Sequence, residues 1–286
     1  MKFAVSYNSA FYGGDPDAIV AYARHAEACG FEGLYLPEHL ALRPGTTLHG
    51  TEVQLDLPFL DPLDTLAYVA AATDRLLLGT GVLLLPYRHP VVLAKQLATI
   101  DTLSKGRMRL LTIGIGILAE EADAAGVDFR TRGRRTDEAI DVLRLLWSGG
   151  TEGVSYDGEF YSLDKVVQYP KPYEATTLPI HIGGSSNAAA RRVGLRGDGY
   201  FAGGALVPQE RAEQWELARS TAAAAGRNPD LLDYSRWSGI DLTDERLAAF
   251  TEAGVTRLVV SATAPDPKER LDELSRFAER FIHAGS

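Results

Sequence analysis

The chain has 286 residues, of which 38 are acidic and 29 are basic, so its net charge is -9 at neutral pH. This acidic balance argues against a nucleic-acid-binding surface, and the length favours one large α/β domain. A single cysteine, Cys29, excludes an internal disulfide and a cluster of thiolate metal ligands. No apolar run reaches membrane-spanning length, and a strand is predicted from Lys2. We therefore expect a cytoplasmic protein without a signal peptide or a membrane partner.

Hydrophobic periodicity and the positions of glycine and proline predict strands alternating with helices along the chain. The predicted strands cover residues 2–7, 33–36, 76–85, 107–113, 178–182, 198–202, 235–242 and 255–262. The predicted helices cover residues 16–29, 63–73, 90–105, 120–125, 136–148, 187–196, 209–225 and 267–282. Two further segments, the long loop 40–62 and the Gly-, Tyr- and Pro-rich segment 149–178, interrupt this alternation. We interpret the loop as functional or mobile and the second segment as an insertion, before the fifth strand, that holds a short hairpin.

The stretch 76–116 organises this prediction. Leu76 to Leu85 is an almost unbroken apolar run, which is typical of a strand covered on both faces in a parallel sheet. Two such strands joined by a helix end at the same face of the sheet. Eight of them predict an α/β fold of the (β/α)8 TIM-barrel type in a single domain over residues 1–286, with any site at the carboxyl ends of the strands. The alternative, an open doubly wound sheet, needs a glycine fingerprint where residues 8–11 read NSAF.

Glu38 and His39 follow the second predicted strand, at the face where a barrel carries its site. Histidine is the side chain best suited to proton transfer near neutral pH. A histidine bonded to a backbone group at a strand end explains the position equally well. Glu38 either orients the loop or faces water.

Glycines interrupt the third and fourth predicted strands. Gly81, next to Val82, marks either a bulge approached closely by a planar ring or a tight turn of the barrel. Packing alone is the slightly favoured explanation for that pair. At the end of the fourth strand, Gly114 permits a close ligand, and Thr112 either offers its hydroxyl to a ring or belongs to the core.

A third candidate follows the fifth strand, where Gly183, Gly184, Ser185 and Ser186 precede a helix. Free backbone N–H groups and serine hydroxyls at a helix start can bind a phosphate. The alternative is that one of the serines only caps the helix. Histidines and carboxylates show no metal-ligand spacing, so no metal is predicted, and neither a nucleophile elbow nor a Walker loop occurs.

Several motifs in one order make the chain similar to a known family. It resembles the luciferase-like monooxygenase superfamily, most closely its F420-dependent oxidoreductase branch. The resemblance is strongest in five segments, GLYLPEH (33–39), LGTGVLLLPYRHPVVLAKQLATIDTLSKGR (78–107), TIGIGILAEEADAAGVDFRTRGRRTDE (112–138), PKPYEATTLPIHIGGSSNAAARR (170–192) and GDGYF (197–201).

This resemblance implies a barrel that binds FMN or the deazaflavin F420 at its C-terminal face. It implies that His39 handles a proton beside the ring and that Gly81-Val82 forms the bulge of strand 3, often a non-proline cis peptide. The insertion is implied to help cover the site, and many members are homodimers. The implied cofactor contacts are Glu38, Gly81, Val82, Thr112, Gly114, Gly183, Gly184, Ser185 and Ser186.

Three departures from the family pattern bear on the ligands. Glu38 stands where many F420-dependent members have an aspartate, which counts against F420. Ile117 stands where some sugar-phosphate dehydrogenases of the superfamily carry a glutamate, which puts a sugar-phosphate substrate in doubt. Residues 114–119 lack the arginine that bacterial luciferases use for the flavin phosphate, which favours F420 over FMN. The main hypothesis is hydride transfer between F420 and a small organic substrate. The alternatives are an FMN-dependent monooxygenase and a non-catalytic protein that binds the cofactor.

Overall fold

The computed structural model describes residues 1–48, 50–204 and 206–283. Within these residues, eight parallel strands close into a barrel in which each strand pairs with its neighbours in the chain and the last pairs with the first. This confirms the predicted fold. The strands β1 to β8 are Lys2–Ser6, Gly33–Leu36, Leu77–Leu84, Leu110–Gly114, Ile180–Gly184, Gly199–Ala202, Asp233–Gly239 and Arg257–Ser261.

One helix follows each strand and covers the barrel from outside. The helices α1 to α8 are Pro16–Ala28, Pro62–Ala72, Pro90–Leu103, Arg132–Ser148, Asn187–Arg196, Pro208–Ala224, Asp244–Glu252 and Pro267–Phe281. Among them α1, α2, α3, α6 and α8 begin with proline, whose missing N–H is not needed in the first turn. Helix α7 is absent from the sequence-based prediction. None of its residues is buried, so it lacks the apolar stripe by which an amphipathic helix is recognised.

Side chains from five of the eight strands fill the middle of the barrel. Ala4, Tyr35, Leu110, Phe201 and Val259, from β1, β2, β4, β6 and β8, form one buried cluster. Such a filled interior leaves no channel through the barrel, so a ligand must bind at one of its ends.

The amino-terminal end of the barrel is closed by an ionic cluster. Arg257 donates from Nε to Glu32 Oε2 at 2.5 Å and from Nη1 to Asp233 Oδ2 at 3.3 Å. His181 Nε2 lies 3.6 Å from the same Asp233 oxygen. These contacts also explain why β7 starts earlier than predicted. Asp233 is polar and so weakens the apolar pattern from which a strand is predicted. In the structure it still belongs to β7, where its side chain pairs with Arg257 at the amino-terminal end of the barrel.

Both irregular segments predicted from the sequence are visible in the structure. The insertion holds an antiparallel hairpin of Val154–Asp157 and Ser162–Val166, as predicted. It packs against the outer helices, where Gln168 Nε2 donates to the carbonyl of Val91 at 2.8 Å and the N–H of Glu159 donates to Glu138 at 2.9 Å. That this segment helps cover the site stays a prediction. Its hydrogen bonds hold it against α3 and α4.

Loop 40–62 reaches across the carboxyl end of the barrel to a short helix, Ala119–Ala124, that follows β4. The Thr46 hydroxyl donates to Glu120 at 2.7 Å, and the Leu40 N–H donates to Glu121 at 2.9 Å. The loops after β2 and β4 therefore contact each other at the carboxyl end. Among the described helices, none combines the length and the apolar character that crossing a bilayer requires.

Candidate active site

The carboxyl end of the barrel opens into a cleft with two compartments. The narrow compartment, about 230 Å³, is lined by residues in or after the carboxyl-terminal parts of β2, β3, β4 and β5, among them His39, Val82 and Gly114. The wide compartment, about 560 Å³, is lined by residues from β1, β7 and β8 and from the segments that follow β1 and β8. Pro37 and Gly81 belong to both linings, so the two compartments are adjacent.

His39 is paired with a carboxylate in the narrow compartment. Its Nδ1 lies 3.1 Å from Glu121 Oε1, which also accepts the N–H of Leu40 at 2.9 Å. A carboxylate only accepts hydrogen bonds, so Nδ1 carries the hydrogen and Nε2 of a neutral ring carries the lone pair. The ring of Phe59 packs edge-on against the imidazole at 5.1 Å between centroids. His39 is thus oriented on two sides, while one-fifth of its side chain stays exposed (20%).

Sequence analysis missed Glu121, although it predicted the short helix that carries it. Its side chain is 1% exposed, and Glu121 and Ala122 are the buried residues of that helix. Oε2 of Glu121 and the hydroxyl of Tyr87 are buried without a hydrogen-bond partner among the described residues. Burial, and secondly the charge of Glu121, raise the pKa of Tyr87. The sequence signal that could have identified Glu121 was its position, as an acidic residue in the loop after a barrel strand, at the face of the barrel where sites form.

Glu38 lines the narrow compartment with its carboxylate bound by protein groups. Oε2 accepts the N–H of Leu84 at 2.5 Å, and Oε1 accepts from Arg88 Nε at 3.1 Å and from Nη2. Arg88 also donates to Asp61 at 2.5 Å. Burial raises the pKa of Glu38, and the charge of Arg88 opposes that effect. This residue therefore ties the end of β2 to the turn after β3, which fits the interpretation that it orients the loop.

The Gly81–Val82 peptide is cis, and the β3–β4 register shifts between Gly81 and Leu83. The bulge implied by the family resemblance is therefore present. The side chain of Val82 lies between two glycines, because a Cβ on Gly114 or on Gly183 would come within 2.5 Å of a Val82 methyl group. These two glycines thus give room to Val82. They do not by themselves leave an open slot for a ring.

Thr112 lies below the cleft. It is fully buried and belongs to the lining of neither compartment. Its N–H and its carbonyl both bond the hydroxyl of Thr80, at 3.1 and 2.7 Å, while its own hydroxyl has no hydrogen-bond partner among the described residues. Of the two interpretations left open by the sequence, the observed environment is that of a core threonine.

Gly183 and Gly184 line the narrow compartment, and the two serines lead from it into α5. Ser186 is the N-cap of this helix, and its hydroxyl accepts the N–H of Ala189 at 3.2 Å. Ser185 is exposed, and its carbonyl accepts Nε2 of Gln214 at 3.0 Å. The loop is therefore held from behind, with an exposed hydroxyl beside the start of a ten-residue helix.

Aromatic side chains, Phe11, Tyr12 and Trp237, characterise the wide compartment. The ring of Trp237 packs on Phe201 with centroids 4.7 Å apart, at the upper boundary of the filled interior. The Tyr12 hydroxyl donates to the carbonyl of Ala262 at 2.5 Å. Phe11 stands at the rim and is 78% exposed.

Comparison with known proteins identifies relatives of the whole barrel. The family model described as luciferase-like monooxygenase matches residues 1–273. An F420-dependent glucose-6-phosphate dehydrogenase from Nakamurella multipartita is 32% identical over 274 residues, covering 93% of this chain and 76% of that relative.

Two solved structures share the fold at low sequence identity. The monooxygenase RslO1 from Streptomyces bottropensis superposes with a TM-score of 0.78 at 21% identity, covering 100% of both chains. An F420-dependent secondary alcohol dehydrogenase, solved with an F420-acetone adduct, gives a TM-score of 0.76 at 18% identity, covering 97% of this chain and 98% of the other. Because the family model spans nearly the whole chain and a relative above 30% identity matches over most of its length, this chain belongs to the luciferase-like monooxygenase family.

Proposed function

We propose that this oxidoreductase transfers a hydride between F420 and a small organic substrate. One observation carries the proposal. A histidine oriented by a buried carboxylate, His39 on Glu121, lines the same compartment as the Gly81–Val82 bulge. A proton-transfer group beside a surface suited to a planar ring is the arrangement that hydride chemistry at a carbon–oxygen bond requires.

The residues of the narrow compartment fit a tricyclic ring. Val82 offers an apolar side chain at the bulge, and Gly81, Gly114 and Gly116 line the same compartment with backbone alone. The buried Tyr87 hydroxyl and Glu121 Oε2 lack partners among the described residues. Such groups next to a cleft mark places that a polar ligand or an ordered water satisfies.

When bound, F420 supplies a two-electron hydride acceptor or donor at the carbon that replaces N5 of a flavin. The chain supplies the proton transfer. Nε2 of His39 accepts the proton of a substrate hydroxyl during oxidation, or returns it to a carbonyl oxygen during reduction. Glu121 stabilises the protonated imidazole and keeps its ring in place, as a buried carboxylate does behind a catalytic histidine.

The start of α5 is the proposed site for the phosphate of the cofactor. Exposed N–H groups at a helix N-terminus favour an anion, and Ser185 adds a hydroxyl. Gly183 and Gly184 connect this place to the narrow compartment. In this proposal Glu38 acts through the loop that it holds, and Thr112 supports the strand below the ring.

Two observations favour F420 over FMN. The relative from Nakamurella, at 32% identity, is named for F420. The segment 114–119 also lacks an arginine that could bind a flavin phosphate next to β4. Anaerobic titration of the purified protein with F420 and with FMN, followed by absorbance, tests the choice. We expect tighter binding of F420.

Three results would change the proposal. Tighter binding of FMN, with oxygen consumed by the reduced complex, would replace it by a monooxygenase. Binding of F420 without any substrate-dependent change in its absorbance, across alcohols and ketones, would leave a cofactor-binding protein. Binding of neither compound would reject the site. For the phosphate subsite, Ser185→Asp should weaken F420 binding, whereas Ser162→Asp, on the exposed hairpin, should not.

The family resemblance also implies a homodimer, and we propose that state for this chain. Light scattering during size-exclusion chromatography measures the mass of the assembly directly. A mass of about 31.0 kDa, that of one chain, would contradict pairing.

A further inference from the structure

The wide compartment lies where a substrate would meet a ring held at the bulge. It shares Gly81 with the narrow compartment, and at about 560 Å³ it is the larger of the two. The inference rests on the proposed function, because it takes this compartment as the substrate side of that cleft. It concerns which class of molecule the compartment accepts.

The lining of the wide compartment carries no charged side chain among the described residues. Phe11, Tyr12 and Trp237 supply its aromatic surface. Burial raises the pKa of Tyr12 to about 12, with the charge of Arg270 opposing, so the phenol is neutral at physiological pH. A carboxylate or phosphate placed here would lose hydration without gaining a cationic partner in the lining, which disfavours its binding.

The charged groups nearby are kept from this space by their own contacts. Arg270 is 5% exposed, stacks on the ring of Tyr12 at 4.5 Å from its centroid in a cation–π contact, and donates from Nη2 to the carbonyl of Pro265 at 3.3 Å, so its guanidinium is held against the tyrosine ring. Glu273 accepts the N–H and the hydroxyl of Thr263 at 2.7 and 3.0 Å. Neither group belongs to the lining.

The hydroxyl groups of the lining are already bonded within the protein. The hydroxyls of Ser6 and Ser261 bond each other at 2.6 Å. The Tyr12 hydroxyl donates to a backbone carbonyl at 2.5 Å. A sugar would bring several hydroxyl groups that each need a partner, and most of those partners are engaged. An apolar body instead fits the aromatic walls, and the exposed ring of Phe11 at the rim gains contacts from it.

We infer that the substrate is an uncharged, mainly apolar alcohol or ketone with an aromatic or alicyclic body, and that sugar phosphates are excluded. In oxidation, the carbinol carbon gives a hydride to F420 and the hydroxyl gives its proton to Nε2 of His39, while the carbon–oxygen single bond becomes a double bond. In reduction, the ketone carbon takes the hydride and its oxygen takes the proton. One hydride and one proton leave the alcohol in oxidation, and one hydride and one proton are added to the ketone in reduction, so atoms and electrons balance in each direction.

Matched pairs of probes that differ only in charge test this inference. The pairs are 1-phenylethanol with 4-(1-hydroxyethyl)benzoate, and acetophenone with 4-acetylbenzoate, with glucose 6-phosphate as the sugar phosphate. Turnover is followed by F420 absorbance, and binding is followed by calorimetry with and without F420. We expect each neutral probe to exceed its carboxylate by at least about tenfold in kcat/KM or affinity.

A cation introduced at the rim provides the second arm. Phe11→Arg should raise the relative affinity of the carboxylate probes, because it adds the missing partner. Leu231→Arg is the matched control, since Leu231 is also 78% exposed but precedes β7 at the opposite end of the barrel. This control should leave the ratio unchanged.

The outcomes separate the two proposals. Failure of F420 to bind rejects the proposed function, while the calorimetric comparison of neutral and charged probes without F420 still tests the compartment. Equal or better binding of the carboxylates or of glucose 6-phosphate overturns the inference. So does the absence of binding by both neutral probes, or an identical effect of Phe11→Arg and Leu231→Arg.

Discussion

The barrel holds a histidine–carboxylate pair at each end, and the two differ in what surrounds them. At the carboxyl end, His39 Nδ1 lies 3.1 Å from Glu121, and the ring keeps an exposed edge in a cleft. At the amino end, His181 lies 3.6 Å from Asp233 and is fully enclosed. Burial first, and then the charge of Arg257, hold the pKa of His181 well below its usual value.

The comparison shows that a nearby carboxylate does not by itself make a histidine a proton donor to a ligand. His181 is buried beside a guanidinium, so it stays neutral and serves packing at the closed end. His39 has a buried anion behind it and a cleft in front of it, so it can exchange a proton with a bound molecule. Four predictions test whether this division of roles is real.

The largest expected effect is on turnover by His39→Ala. Loss of a positioned acid–base group lowers kcat by about 10²–10⁴-fold, whereas F420 affinity should change little because the bulge and the start of α5 remain. Steady-state kinetics and an F420 titration measure the two quantities. His181→Gln is the matched control and should keep kcat. If His181→Gln lowered kcat and His39→Ala did not, the proposed difference in role between the two histidine–carboxylate pairs would be wrong.

The next effect in size is expected for Glu121→Gln. The amide keeps the shape of the side chain but removes the charge that stabilises a protonated His39, so kcat should fall by about 10–100-fold with KM little changed. Glu120→Gln is the control on the same short helix, because that carboxylate accepts the hydroxyl of Thr46 and not a hydrogen bond from His39. Equal effects of the two variants would show that Glu121 is only structural.

Sequence analysis placed correctly the candidate site residues that lie near or just after the carboxyl ends of predicted strands. His39, Gly81, Val82, Gly114 and Gly183 were predicted at one mouth, and the structure brings them together there. Their roles with a cofactor stay predictions. The carboxyl ends of all barrel strands meet at one face, so residues that follow neighbouring strands can be assigned to one mouth from the sequence alone.

The misses come from contacts that only the assembled barrel creates. Glu121 reaches His39 across two loops that are 81 or more residues apart in sequence, and no local pattern marks such a pairing. Sequence analysis left open whether Thr112 contacts a ring or belongs to the core. Its burial is visible only in the structure, where Thr112 is paired with Gly81 in the β3–β4 register. Glycine at 114 was read as space for a ligand, although a neighbouring valine fills that space.

That last contact makes a third prediction, on the part of the narrow compartment that Val82 lines. Gly114→Ala puts a methyl group 2.5 Å from Val82 Cγ2, which should cost about 1–3 kcal/mol of stability or displace the bulge. F420 affinity should fall with it. Adding Val82→Ala should recover part of both losses, as a double-mutant cycle would detect. Gly203→Ala, where a Cβ meets nothing within 4 Å, is the control.

The smallest expected effect concerns the closed end. The pKa of His181 is lowered in the folded protein, so between its unfolded value near 6.5 and its folded value the unfolded chain binds more protons. Stability is therefore fully present above that range and falls as pH decreases through it, by at most about 1.4 kcal/mol per pH unit for one group. Urea unfolding at pH 7.5 and at pH 5.5 measures the loss of stability. The stability of His181→Gln should differ less between these two pH values than that of the unmodified protein. An unchanged difference would mean that His181 is protonated in the folded barrel, and the contrast between the two ends would then rest on exposure alone.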